Sequence, residues 1–237
     1  MLLLAVDTSG KNGSLALACA TAGRSDIDVL EVGPLTGGAF SAQLIPQIAA
    51  LLEKHGQSKH ELGAFVVVSG PGSFTGLRVG LAAMKALAEA LQKPIVAISV
   101  LEAVACSGEA RGRVLALLDA GRGDVYVGDY ELDLDAGVRA HMHSERLLSG
   151  EELIAEARLL TTFPEAQRKA VVTPDAALAE KIRSAGIHIE LIAYPDSGAM
   201  ARLGWEHLQR GDTVLPENLE ANYLRHSDAE IFSKPAR

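Results

Sequence analysis

Apolar and polar positions change period along this chain in a repeating order, and the order predicts its elements. Leu2 to Val6 is an unbroken apolar run that ends at Asp7. After the turn Gly10-Lys11-Asn12-Gly13, Ser14 to Ala20 reads as its antiparallel partner, and Ile27 to Val32 as a third strand. A helix is predicted from about Ser41 to His55, with Leu44, Ile48, Leu51 and Leu52 on one face. Pro46 falls in its first turns, where proline is tolerated. Phe65 to Val68 is β-branched with no polar alternation, the mark of a strand covered on both faces. The turn Ser69-Gly70-Pro71-Gly72 leads into a long helix whose Phe74, Leu77, Leu81, Met84, Ala88 and Leu91 form one stripe at spacings of three and four. Pro94 to Val100 is another buried strand, and Leu101 to Cys106 starts a short helix.

Then the pattern restarts. Val114 to Leu118 is an apolar strand ending near Asp119, Ala120-Gly121-Arg122-Gly123 turns it, and Asp124 to Tyr130 returns. A third strand is predicted at His141 to Leu147, and a helix capped by Ser149, with Glu152 completing a capping box, to about Leu160. Strand Ala170 to Thr173, a helix capped by Asp175 and stopped at Gly186, strand Ile187 to Ile192, and a helix Ala199 to Arg210 capped by Ser197 follow. The tail Thr213 to Arg237 is polar and partly extended. The expected fold is α/β, with two duplicated halves, each a mixed β-sheet with flanking helices. Such a duplication resembles the actin/sugar-kinase/Hsp70 (ribonuclease H-like) architecture, in which a nucleotide sits between halves. The expected division is 1–106 for the first half, completed by the C-terminal helix and tail at about 197–237, and 107–196 for the second.

Composition narrows the chemistry. Only 4% of the 237 residues are aromatic, too few for a base-stacking platform, and the net charge of −8 repels nucleic-acid phosphates. The two cysteines, Cys19 and Cys106, indicate a reducing compartment, and Met1 to Val6 is too short for a signal peptide or a membrane span. A cytoplasmic protein is expected. His141 and His143 share a strand face without a third ligand, and no Gly-x-Ser-x-Gly elbow occurs. The glycine row Gly72, Gly76, Gly80 is the unusual feature, because a helical glycine costs roughly 1 kcal/mol relative to alanine. Close approach of another backbone would offset that cost, from the chain's own sheet or from a partner helix. A phosphate loop is a poor reading, since Leu77-Arg78 follows Gly76 where Gly-Lys-Ser/Thr is required.

Four segments carry a specific resemblance: LLLAVDTS at the start, SGPGSFTGLRVGLAAMKALA, LLDAGRGDVYVG, and Tyr223-Leu224-Arg225. Together they resemble the TsaB (YeaZ) family, partner proteins in making threonylcarbamoyladenosine next to the tRNA anticodon. The resemblance implies a non-catalytic subunit that binds and activates a TsaD-like catalytic paralogue, joined by a TsaE-like ATPase. It also implies that tRNA, and ATP or ADP, are met only in the assembled complex, and that the lone chain can form a homodimer. The implied docking surface is a four-helix contact engaging Phe40, Gln43, Leu44, Gln47, Ile48, Gly76, Leu77, Arg78, Gly80, Leu81 and Met84. With the resemblance, the glycine row is read as facing that partner. The paralogue's metal-binding His-x-x-x-His aligns with Val100 and Val104, with Glu102 between them, so neither metal nor catalytic residues are expected. Asp7 and Ser9 fall where superfamily members meet phosphate, a vestigial site if they are not capping their own turn. Phe40 replaces a usual histidine and Ala221-Asn222 a usual proline. The rival reading is a stand-alone nucleotide-dependent kinase or acyltransferase of the same fold.

Overall fold

The computed structural model describes residues 1–21, 26–133, 139–161 and 169–225. The first half runs β1 (Leu2–Asp7), β2 (Gly13–Ala20), β3 (Ile27–Leu35), α1 (Phe40–Lys54), β4 (Leu62–Gly70), α2 (Phe74–Leu91), β5 (Ile95–Ser99) and α3 (Val100–Ser107). The second repeats it as β6 (Gly112–Gly121), β7 (Asp124–Asp133), β8 (Arg139–Ser149), α4 (Gly150–Thr161), β9 (Ala170–Thr173), α5 (Ala176–Ser184), β10 (Glu190–Leu191) and α6 (Ser197–Arg210). The first sheet has the order β3-β2-β1-β4-β5 and the second β8-β7-β6-β9-β10. In each, the first three strands pair antiparallel and the last two join in parallel, so the duplication holds strand for strand.

Four apolar layers follow from the strand periodicity, because successive side chains alternate between the faces of a sheet. On β1, Leu2, Leu4 and Val6 meet α1 and α2, while Leu3 and Ala5 meet α6 on the opposite face. Met200, Ala201 and Leu203 of α6 thus belong to the core of the first sheet. In the second sheet, Leu115 and Leu117 meet α4 and α5, and Val114 and Ala116 meet Leu101, Val104 and Ala105 of α3. Each large apolar side chain so enclosed contributes on the order of 1.5–3 kcal/mol.

Two predicted elements differ. β10 covers only Glu190–Leu191 instead of Ile187 to Ile192. Ile187 and Ile189 are apolar because they pack beneath α5, and the Ile187 amide donates to the Ile182 carbonyl instead of to a strand. The cap of α6 is Asp196, whose Oδ1 accepts the Ala199 amide at 3.0 Å. Ser197 is buried as the first helical residue, its hydroxyl donating to the Ser14 carbonyl at 2.7 Å. The capping box of α4 forms as expected: the Glu152 amide donates to Ser149 Oγ at 3.2 Å and the Ser149 amide to Glu152 at 2.8 Å. Of the tail, His226 to Arg237 lie outside the described residues.

Candidate docking face

α2 sits centrally on the first sheet, and its glycine row decides how closely. A Cβ at Gly72 would meet the Ser9 carbonyl oxygen at 2.5 Å, one at Gly76 would run into the Thr8 carbonyl oxygen, and one at Gly80 into Thr8 Oγ1. The Thr8 hydroxyl donates to the Gly76 carbonyl at 2.8 Å, and the Ser73 amide to the Ser9 carbonyl at 2.7 Å. The backbone that approaches the glycines is therefore the chain's own β1–β2 turn. Reading Gly76 and Gly80 as notches for a partner helix is corrected: they seat α2 on the hairpin.

The same holds for most of the expected docking residues. Phe40, Leu44, Ile48, Leu77, Leu81 and Met84 are all buried in the core between α1, α2 and the sheet. They face inward because they form the stripe each helix needs to pack on the sheet, α1 over β2 and β3 and α2 mainly over β4. Of the expected set, Gln47 and Arg78 are exposed and Gln43 is half-buried, its side-chain oxygen accepting the Thr36 amide at 3.0 Å. Phe74 moves the other way. It shares the phase of the buried stripe, but as the first residue of α2 it is 41% exposed.

What the two helices show to solvent is a second stripe. Ile45 of α1 is 50% exposed, and Phe74, Arg78 and Ala82 form an exposed row of four-residue spacing along α2. A groove of about 490 Å³ separates the helices, lined by Leu44, Ile45, Phe74, Arg78 and Ala82 among others. Tyr223, from the C-terminal segment, joins this face. Its ring lies 5.0 Å from that of Phe74, its hydroxyl accepts the Arg78 Nε–H at 3.2 Å, and the Arg78 guanidinium lies 3.7 Å above the Phe74 ring. Such cation–aromatic stacks hold their members in one geometry. The row Phe74, Arg78, Ala82 is visible in the sequence as an i, i+4, i+8 pattern. Ile45 and Tyr223 carry no such signal.

A cleft of about 680 Å³ opens where the two hairpins face each other, lined by Ser9, Gly10, Lys11, Gly72, Ser73, Asp119, Ala120, Gly121 and Tyr126 among others. Ser9 reaches it, but Asp7 does not line it. The Asp7 carboxylate is buried, accepting the Ser9 amide at 2.8 Å and the Ser9 hydroxyl at 2.6 Å, with the Tyr194 hydroxyl 3.5 Å away. Burial raises its pKa, partly offset by those hydrogen bonds. Asp7 thus caps its own turn. Its counterpart Asp119 is exposed and accepts the Gly121 amide at 3.0 Å.

Val100, Glu102 and Val104, expected at the paralogue's metal-ligand positions, do not suit a metal. Val100 and Val104 are fully buried in apolar layers and offer no lone pair. Glu102 between them is committed to His207, Oε1 to Nε2 at 2.8 Å. Burial and the Glu102 charge push the nearby Cys106 thiol up to about 12, so it is inert as a nucleophile. His141 and His143 are exposed on β8, and no group of three metal-ligating side chains occurs among the described residues. No helix among them is long and apolar enough to cross a membrane.

A repeated strand order, with a cleft between the two hairpins, defines an actin-like (ribonuclease H-like) α/β protein. The comparisons sharpen this. The family model described as "TsaD: tRNA N6-adenosine threonylcarbamoyltransferase" matches residues 34–201. The "tRNA threonylcarbamoyladenosine biosynthesis protein TsaB" of Escherichia coli (strain K12) is 26% identical over 234 residues, 97% of this chain and 96% of that protein. The protein of the same name from Bacillus subtilis (strain 168) is 36% identical over 132 residues, 55% of this chain and 56% of that protein. The solved structure "YeaZ from Pseudomonas aeruginosa" superposes with a TM-score of 0.70 at 25% identity, covering 93% of this chain and all of that one. The chain belongs to the TsaB/YeaZ family, which places it among proteins of tRNA threonylcarbamoyladenosine biosynthesis.

Proposed function

We propose that the chain is a non-catalytic partner subunit that docks, through the outer face of α1 and α2, onto a TsaD-like catalytic paralogue and activates threonylcarbamoyl transfer to the adenosine next to the tRNA anticodon. The observation that carries this is the apolar outer stripe of Ile45, Phe74 and Ala82 with Arg78, on a helix pair whose inner stripe already satisfies the fold. The occupant follows from the match of residues 34–201 to the transferase's own family model. A protein of that family has an equivalent helix pair, and two such pairs meet pseudo-symmetrically as a four-helix contact. The face also allows a homodimer when the partner is absent. The buried valines at 100 and 104 and the unreactive Cys106 support a scaffold without chemistry of its own. A TsaE-like ATPase joins the pair, and tRNA and ATP or ADP are engaged only by the assembly, in keeping with the net charge of −8. Affinity purification from cells followed by mass spectrometry tests the reading, with the TsaD-like and TsaE-like proteins as the expected companions. Robust ATP turnover by the purified chain alone would overturn it in favour of a stand-alone kinase or acyltransferase.

A further inference from the structure

The C-terminal segment Asp212 to Arg225 crosses the molecule in a way the sequence does not foretell. It begins at the first sheet, where the Val214 amide donates to the Ile95 carbonyl at 2.8 Å. It then follows α2, with Leu219 buried in that core and the Asn222 amide donating to the Ser69 carbonyl at 2.8 Å. It ends on the second half: Arg225 Nη2 donates to the Ala120 and Gly121 carbonyls at 3.2 and 3.1 Å and to Asp124 at 2.8 Å. One carboxylate fastens the middle of this strap. Glu145 of β8 accepts hydrogen bonds from Asn222 Nδ2, the Tyr130 hydroxyl and the Ser99 hydroxyl, joining the second sheet, the start of α3 and the strap.

Tyr223 lies between these anchors and, 40% exposed, stacks its ring on Phe74 of the docking face. A tyrosine fixed in this way presents its area at low entropic cost on binding, and tyrosine and arginine dominate the energetics of many interfaces. We infer that the strap is part of the docking surface for the TsaD-like paralogue, with Tyr223 its contact residue and Glu145 a positioning residue that acts through Asn222 on Tyr223. This rests on the docking reading above. It adds that the second half of the chain, which has no helix on that face, sets the face's geometry.

The test is the Kd for the TsaD-like paralogue encoded in the same genome, measured by calorimetry, with thermal melting as the control for folding. Tyr223→Ala and Glu145→Gln are each expected to weaken binding about tenfold. Glu145→Gln replaces one accepting oxygen by a donating nitrogen, so the side chain no longer accepts from Asn222, Tyr130 and Ser99 at once. The double variant Glu145→Gln/Asn222→Asp restores the pairing and is expected to recover most of the affinity. Adding Glu145→Gln to Tyr223→Ala should weaken binding no further, because both act through one side chain. Wild-type affinity for Tyr223→Ala overturns the inference even if Glu145→Gln fails to fold. Additive losses, or no recovery in the swapped pair, overturn the role of Glu145. Ile45→Glu, on α1 and outside the strap, separates the two readings. If it weakens binding while the strap variants do not, only the strap inference fails; if it too binds normally, the docking reading fails.

Discussion

α1 and α2 lie over the first sheet as α4 and α5 lie over the second, yet the two pairs meet solvent differently. The exposed positions of α4 and α5 include Glu151, Glu152, Arg158, Glu180, Lys181 and Arg183, an ordinary solvated surface. Those of α1 and α2 include Ala42, Ile45, Ala49, Phe74, Ala82 and Ala86, with Arg78 among them. Both pairs carry the inward stripe that the fold demands. Among the described side chains only the first adds an outward apolar one, and to that extent the second half serves as an internal control. The fold does not require an apolar outer face, and exposed apolar side chains of this kind are what the docking proposed above would use.

The largest effect on stability is expected at the seat of α2, which has no glycine-row equivalent in α5. Gly76→Val forces a side chain into the Thr8 carbonyl and should cost about 3 kcal/mol in denaturant unfolding. Survival of full stability would mean that the hairpin moves freely away from α2. In the second half, Asp129 accepts Arg113 Nε–H at 2.8 Å and Lys169 Nζ–H at 2.5 Å. Burial alone would raise its pKa, but those two cations together hold it below the ordinary 3.8. Its contribution is therefore present above pH 3.8 and lost as the pH falls through the lowered value. Asp129→Asn should cost about 2 kcal/mol at neutral pH and remove that acid-side loss, as urea titrations at several pH values would show.

The smallest effect contrasts the two hairpin aspartates. Burial raises the pKa of Asp7, so between the unfolded value of 3.8 and the raised one the native protein binds the extra proton. Stability then falls as pH rises through that window. Asp7→Asn should flatten this slope and raise the melting temperature at neutral pH. Asp119→Asn, at an exposed turn, should change stability by less than about 0.5 kcal/mol. Equal responses from the two would remove the distinction between a buried and a solvated hairpin.

Elements fixed by local pattern were legible in the sequence: the two hairpins, the α2 stripe from Leu77 to Ala88, and the Ser149–Glu152 box all follow from periodicity or capping chemistry. What was not legible depends on contacts between distant residues. The glycine row announced a close backbone but not whose, and Thr8 lies 68 residues before Gly76. Phe74 keeps helical phase with Leu77 but is the first residue of α2 and exposed, which periodicity alone does not reveal. Tyr223 and Arg78 are 145 residues apart, and nothing local in either marks the pair. The expected docking set therefore mixes residues that the core takes up, such as Leu44 and Leu77, with the exposed Gln47 and Arg78, and it leaves out Ile45 and Phe74.

One measurement weighs the two helix pairs directly: the affinity for the TsaD-like paralogue of Ile45→Glu, on the face of α1, beside that of Ala177→Glu, on the exposed face of α5. Both add one negative charge at an exposed helical position over a duplicated sheet. Docking through α1 and α2 predicts a loss of about thirtyfold or more for Ile45→Glu, corresponding to at least about 2 kcal/mol, and wild-type binding for Ala177→Glu. Equal affinities for the two variants, or a loss confined to Ala177→Glu, would contradict it.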